Sequence, residues 1–422
     1  MEFNKYKLKD LTVNGKGEYG IGAPAVKYSP NLYKYLRITD IDDNGFINTN
    51  QMKSINDKNE EKYLLKANDI VFARTGNSTG NSTGKSYFYN SDDGPLVYAG
   101  FLIKFSLDPT KLNPKYLRYY TLTNEYKGWI NQFSIGSTRK NINAKIFGDM
   151  VISLPPRYYQ DFVVDILDSL ERKVKINKQM VANLEELSQT LFKHWFVDFE
   201  FPDEDGNPYK SSGGEMIDSE LGEIPPDWKV GVLSDMTEII MGQSPKSDTY
   251  NNNKVGLPLL NGASDFKNRN IKPTKYTSAP KKIGHNLDYV FGVRATIGLV
   301  TELDGEYAIG RGAGLSKNNE ENREFIYEIL NQAFTYFERI GSGSVYINIS
   351  SKDLKQYKLI IPSKQVLMKY HYQLEPIFSE LHNRKEQITS LTNLRDTLLP
   401  KLMSGELEIP DDIEVNIDEF SI

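Results

Sequence analysis

Residues 135–156 read IGSTRKNINAKIFGDMVISLPP, and residues 341–363 read GSGSVYINISSKDLKQYKLIIPS. Aligning Asn141 with Asn348, 207 positions apart, pairs Gly136-Ser137 with Gly343-Ser344, Ile142 with Ile349 and Pro155 with Pro362 without a gap. The match continues downstream, where Leu167, Leu184, Leu187, Thr190 and Leu191 meet Leu374, Leu391, Leu394, Thr397 and Leu398. A gapless run of this length with matching periodicity marks an internal duplication. Upstream the repeat is looser. NDIVFARTG (68–76) resembles LDYVFGVRATIG (287–298), and Arg74 falls on Arg294 at an offset of 220. The second copy is therefore shorter by 13 residues between these blocks.

The segments that follow each repeat block read as long helices. Residues 157–197 lack Pro and Gly, and apolar residues recur at Leu167, Leu170, Val174, Val181, Leu184 and Leu191. Asn177 and Ser188 fill the gaps of an a/d heptad series. The second copy repeats the series as Leu374, Ile377, Leu381, Ile388, Leu391 and Leu398, with Arg384 and Arg395 in the same two gaps. Polar seam residues cost stability but fix register and partner choice. Amphipathic helices packed on their own globules would show the same spacing. Length argues for pairing: about 40 residues span roughly 60 Å, and the equally long apolar stripe in this chain is the repeat itself. The two helices are expected to form an antiparallel coiled coil.

Outside the helices, short apolar runs are punctuated by Gly, Asn, Asp and Pro. YLRITDI, DIVFA, LVYAGFLIKFSL and DMVISLP in the first copy, and PLLNG, YVFGVRATIGLVTEL and YKLIIP in the second, read as strands. Residues 115–130 and 323–340 read as helices. The fold class is mixed α/β (α+β). The expected organisation is a first globule at 1–156, a long helix at 157–199, an acidic linker at 200–219, a second globule at 220–362, a second long helix at 363–405 and an acidic tail at 406–422.

Composition narrows the function. The chain has 422 residues, 51 Lys+Arg against 56 Asp+Glu, 39% hydrophobic residues and no Cys. Its mean hydropathy is −0.50, and no apolar run is long enough to span a bilayer. Disulfides, thiolate zinc sites and Cys nucleophiles are excluded, and a cytoplasmic protein fits. Residues 1–156 carry 21 basic and 15 acidic residues, whereas the second globule carries 17 of each. A basic face on the first globule is thus permitted, with unequal phosphate contact by the two.

Catalytic motifs are hard to find. GKGEYG (15–20) has GxGxxG spacing but runs into Pro24 and Pro30, not a helix. TGNSTGKS (79–86) falls one residue short of a P-loop. LPPRYY (154–159) lacks the acceptor side chain that precedes the prolines in the base-gripping segment of amino-methyltransferases. The four His are scattered, and His194 is expected to pack at its helix end. Recognition without catalysis is the better reading, and no metal site is expected. The candidate DNA-binding residues lie in loops rich in small and basic residues: Arg74, Asn77 and Lys85; Arg139 and Lys140; then Gln243, Lys246, Arg294, Arg311 and Tyr346. Arg pairs with guanine edges, Asn and Gln with adenine, and Lys holds phosphate.

Taken in order, YLRITDI, NDIVFARTG, TGKSYFY, LFKHWFVDFEFP, SELGEIPPDWKV, IGRG and LRDTLLPKLMSGEL resemble the specificity subunits of type I restriction-modification systems over nearly the whole chain. The resemblance implies two target-recognition domains, each reading half of a split, asymmetric sequence in double-stranded DNA. It also implies that the helices act as a spacer ruler and that two methyltransferase subunits dock on the helical region. S-adenosylmethionine would be held by those partners, with no cofactor in this chain, and a restriction motor (translocase) subunit could join. The competing readings are a fused methyltransferase or nuclease, and a structural coiled-coil protein with two globules that bind something other than DNA.

Overall fold

The computed structural model describes residues 1–76, 82–133, 141–294, 296–319, 321–341 and 349–407. The chain forms two compact units, one built from residues 1–176 and 387–422, the other from 177–386.

In the first unit an antiparallel sheet has the order Glu18–Tyr19, Leu102–Ser106, Asp69–Ala73, Ser86–Phe88. A second sheet pairs Lys34–Leu36 in parallel with Leu96–Tyr98 and antiparallel with Lys53–Ser54. Every residue of Asp69–Ala73 is buried, which explains why this run reads as continuously apolar instead of alternating. Asp69 is a buried exception. It accepts the Lys66 N–H and the Ser106 hydroxyl; burial raises its pKa all the same.

The second unit repeats this plan in fused form. Its strand Tyr307–Lys317 runs parallel to Leu257–Gly262 along its first half and antiparallel to Tyr289–Arg294 and Glu238–Met241 along its second. It therefore does the work of both Leu96–Tyr98 and Leu102–Ser106, which in the first unit are separate strands. The repeat offset is kept by three further elements. Strand Val151–Leu154, helix Ala144–Gly148 and the long helix from Arg157 have counterparts at Lys358–Ile361, Ser351–Lys355 and Lys364, each 207 residues on. The two strands of that set pair with Asn4–Lys7 and Lys229–Val232 respectively.

The long helices span Arg157–Phe196 and Lys364–Ser404. They run antiparallel. In the first unit the Tyr159 hydroxyl donates to the Leu402 and Leu407 carbonyls at 3.1 and 2.6 Å. In the second unit Arg384 donates to Asn177 at 3.2 Å, so polar seam residues holding equivalent places in the repeat meet each other. All twelve apolar seam positions are buried or half-buried. Leu167 lies in the core of the first unit near Leu398 and Leu402. Leu374 and Leu381 lie in the core of the second, with Val181, Leu184, Leu191 and Ile377 against it. The helices thus pair with each other and also pack on the globules; the two arrangements that the spacing allowed occur together.

Two stretches differ from expectation. Residues 200–219 are not a free linker. Phe199 and Phe201 are buried, Phe201 stacks on Tyr209 at 4.6 Å and on Trp228 at 5.0 Å, and Ile217–Ser219 forms a strand. Aromatic burial outweighs the local charge and turn chemistry there. His194 is exposed, because the buried face at that turn is already filled by Phe192, Trp195 and Phe196. The aromatic residues of the LFKHWFVDFEFP phrase are core: Phe196 meets Phe325 and Tyr370 at 4.8 and 4.7 Å.

Candidate functional site

Each unit has an end where strands give way to exposed or half-buried polar side chains. In the first unit Arg74 follows the buried strand Asp69–Ala73. Its Nε donates to Asn141 Oδ1 at 2.9 Å, and its guanidinium lies 5.0 Å from the centre of the Tyr19 ring. The backbone locks the same group of residues together: the Ile142 N–H donates to the Arg74 carbonyl at 2.8 Å, and the Arg74 N–H donates to the Phe101 carbonyl at 3.0 Å. Asn141, which anchors the sequence repeat, is thus the partner of Arg74, which anchors its looser upstream block. Phe101 is 62% exposed beside them. Tyr19 and Phe101 cannot be picked out from sequence, because the exposure of an aromatic is set by strand pairing distant in the chain.

Lys85 is tied down. Its Nζ donates to the Ile41 carbonyl at 3.1 Å and pairs with Asp43 at 2.8 Å. Nearby, Asp40 accepts the Arg37 N–H at 2.8 Å and both ends of the Arg37 fork. The YLRITDI phrase therefore encodes a capped turn with its arginine folded back on the acid. Asn77, Arg139 and Lys140 lie outside the described residues.

In the second unit the equivalent turn follows Leu257–Gly262. Asp265 accepts the Asn261 N–H at 2.8 Å, as Asp40 accepts that of Arg37, but Asn261 presents an exposed amide where Arg37 carries a paired guanidinium. Gln243 is exposed, and its N–H donates to the Ile309 carbonyl at 3.0 Å. Arg311 is exposed two residues further along that strand. The backbone here is tightly packed. A Cβ on Gly242 would lie 2.1 Å from the Gly310 carbonyl oxygen, one on Gly310 would lie 2.3 Å from Asn261 Oδ1, and one on Gly312 would lie 2.3 Å from the Asn261 carbonyl oxygen. Glycine at 242, 310 and 312 brings Gln243, Asn261 and Arg311 onto one small area. Arg294 is exposed at the end of Tyr289–Arg294, and Lys246 is exposed before the turn Ser247–Thr249. Tyr346 lies outside the described residues. Sequence reading misses Asn261, because PLLNG reads only as a strand; its Asn-Gly ending is the available signal.

Charged residues also fasten the long helices to the globules. In the first unit Arg118 Nη1 pairs with Glu171 at 2.6 Å, and both side chains are largely buried. Tyr119 donates to Asp168 at 2.5 Å, and Lys115 pairs with the same carboxylate. In the second unit the seam residue Ser188 donates to Glu328 of helix Arg323–Gly341 at 2.7 Å, and Arg269 pairs with Glu185 at 2.7 Å. Burial pushes the Glu328 carboxyl up to about 7. Burial likewise raises Glu302, which lines a small cavity with Tyr289, His382 and Lys385. Among the described residues, no group of three or more His, Asp or Glu is placed to hold a metal ion.

The description of a type I restriction modification DNA specificity domain matches residues 1–186 and again 225–389. A Methanocaldococcus jannaschii protein, the candidate specificity subunit of the type I restriction enzyme MjaX, is 28% identical over 389 residues, covering 89% of this chain and 88% of its own. The specificity subunit of the type I restriction enzyme HindI from Haemophilus influenzae is 23% identical, over 96% of this chain and 100% of its own. Among solved structures, the S subunit of a type I restriction-modification system from M. genitalium shares the fold with a TM-score of 0.59 at 16% identity, over 95% of this chain and 96% of that one.

Proposed function

The chain belongs to the type I restriction-modification DNA specificity family, and from that membership we propose that it is the DNA-recognition subunit of such a complex. It reads an asymmetric two-part target in double-stranded DNA, one part with each unit, and has no catalytic role of its own. Two methyltransferase subunits assemble on it, and a restriction subunit can join them. S-adenosylmethionine is bound by the methyltransferase subunits and not by this chain. The complex works in the cytoplasm. No helix among the described residues is long and apolar enough to cross a membrane.

The observation that carries this reading is that one DNA-specificity domain description fits both copies of the repeat. Polar side chains at the strand ends of each unit supply suitable chemistry. Arg and amide side chains carry the paired donors and acceptors that base edges demand. The test uses the complex assembled with its methyltransferase subunits. Duplex binding should select a split sequence and weaken steeply with salt, because bound phosphates release counterions. Exchanging residues 1–156 for another such domain should alter one part of that sequence only. Changes in both parts, salt-independent binding, or stoichiometric S-adenosylmethionine binding by this chain alone would refute the proposal.

A further inference from the structure

Most arginines of both units are committed to a partner. Arg37 is bound to Asp40, Arg74 to Asn141, Arg118 to Glu171, Arg269 to Glu185 and Arg323 to Glu324. Arg311 has no hydrogen bond, ion pair or ring partner among the described residues, and it is exposed. The side-chain amides of Gln243 and Asn261 are exposed and unpartnered among the same residues. Yet the backbone of Gln243 and Asn261 is held in place. The Gln243 and Gly242 N–H groups donate to the Ile309 and Ala313 carbonyls at 3.0 and 2.9 Å, and Asp265 accepts from Asn261 at 2.8 Å. Free side chains on a fixed backbone are what a reading surface needs, since little order has to be imposed on binding.

Gly310 and Gly312 flank Arg311, so no neighbouring side chain in that strand obstructs approach of a groove wall. A guanidinium fork matches the O6 and N7 acceptors of guanine, and an Asn or Gln amide matches the N7 and N6 of adenine.

We propose that Arg311, with Gln243 and Asn261 beside it, forms a base-reading cluster of the second unit, and that Arg311 takes the O6/N7 edge of one guanine in the part of the target this unit reads. The inference rests on the DNA-recognition function proposed above. It makes Arg311 a specificity determinant, not a phosphate contact.

The test is selection from a randomised duplex pool by the assembled complex, carrying wild-type chain, Arg311→Ala or Arg311→Lys. Arg311→Lys keeps the charge and loses the fork. Unchanged urea unfolding of each variant shows that it is folded. Both variants should lose about five- to 150-fold of discrimination at a single G·C pair in one part of the target, while the other part is selected as before. Three results overturn the inference alone: an unchanged selected sequence, an equal loss for all sequences, or a target part read by the second unit that contains no G·C pair. A wild-type complex that selects no sequence at all overturns the functional reading, and this inference with it.

Discussion

Replacing Glu328 with Gln should remove a measurable pH dependence from the second unit. The Glu328 carboxylate is 4% exposed, accepts the Ser188 hydroxyl at 2.7 Å, and is pushed by burial from 4.5 up to about 7, with Arg269 opposing and Glu185 adding to the shift. The folded chain therefore holds this proton where the unfolded chain has released it. Stability from this group is complete below pH 4.5 and falls as pH rises to about 7. At ~1.36 kcal/mol per pH unit, the whole loss is roughly 3 kcal/mol, of which about 2.5 kcal/mol falls between pH 5 and 8. Urea unfolding at those two pH values, followed by tryptophan emission, reads it. Trp195 and Trp228 are buried in this unit's core, while Trp129 lies in the first unit and contributes equally to both proteins. Glu328→Gln should lack the drop, because Gln still accepts from Ser188 and does not titrate. If wild type and variant lose stability in parallel, within about 0.5 kcal/mol, the buried-carboxylate argument is wrong.

Arg118→Ala should cost about 3–5 kcal/mol in urea unfolding by leaving Glu171 buried and unpaired, and adding Glu171→Leu should recover most of it; no recovery would place the loss in packing alone. Tyr159→Phe removes the one hydroxyl proton shared between the Leu402 and Leu407 carbonyls. It should cost about 1–3 kcal/mol, read as faster amide hydrogen exchange over residues 398–407. Gly128 sits in helix Asn124–Gln132, and a Cβ added there would have nothing within 4 Å, so Gly128→Ala should raise the unfolding free energy by up to about 1 kcal/mol. Gly310→Ala, whose Cβ would meet Asn261, should lower it by about 1–3 kcal/mol.

The elements that sequence reading locates are those encoded by short-range order. The heptads Leu167 to Leu191 and Leu374 to Leu398 carry their own period, and the 207-residue offset transfers it from one helix to the other. The partners of those helices are less accessible. Ser188 reads as a polar seam residue facing its sister helix, and it does act on Tyr370 there, but it also bonds to Glu328, 140 positions away in a globule. Nothing local to Ser188 announces that. The same holds for Asn261, Gln243 and Arg311, which lie on one small area because a parallel and an antiparallel strand flank one central strand. Phe199 to Tyr209 misleads for the opposite reason. Its Asp, Gly and Pro residues mark a linker, whereas the aromatics between them decide where it sits.

The first unit draws its residues from both ends of the chain, 1–176 and 387–422. On the ribosome, the segment 177–386 is complete before the last helical turns emerge, and domains fold as units during synthesis. Leu167 and Tyr159 must then wait for Leu398 and Leu402 to complete their cover. A nascent chain halted near residue 386 would present a finished second half and an apolar stripe on the first, which is the kind of surface that chaperones hold and proteases sample.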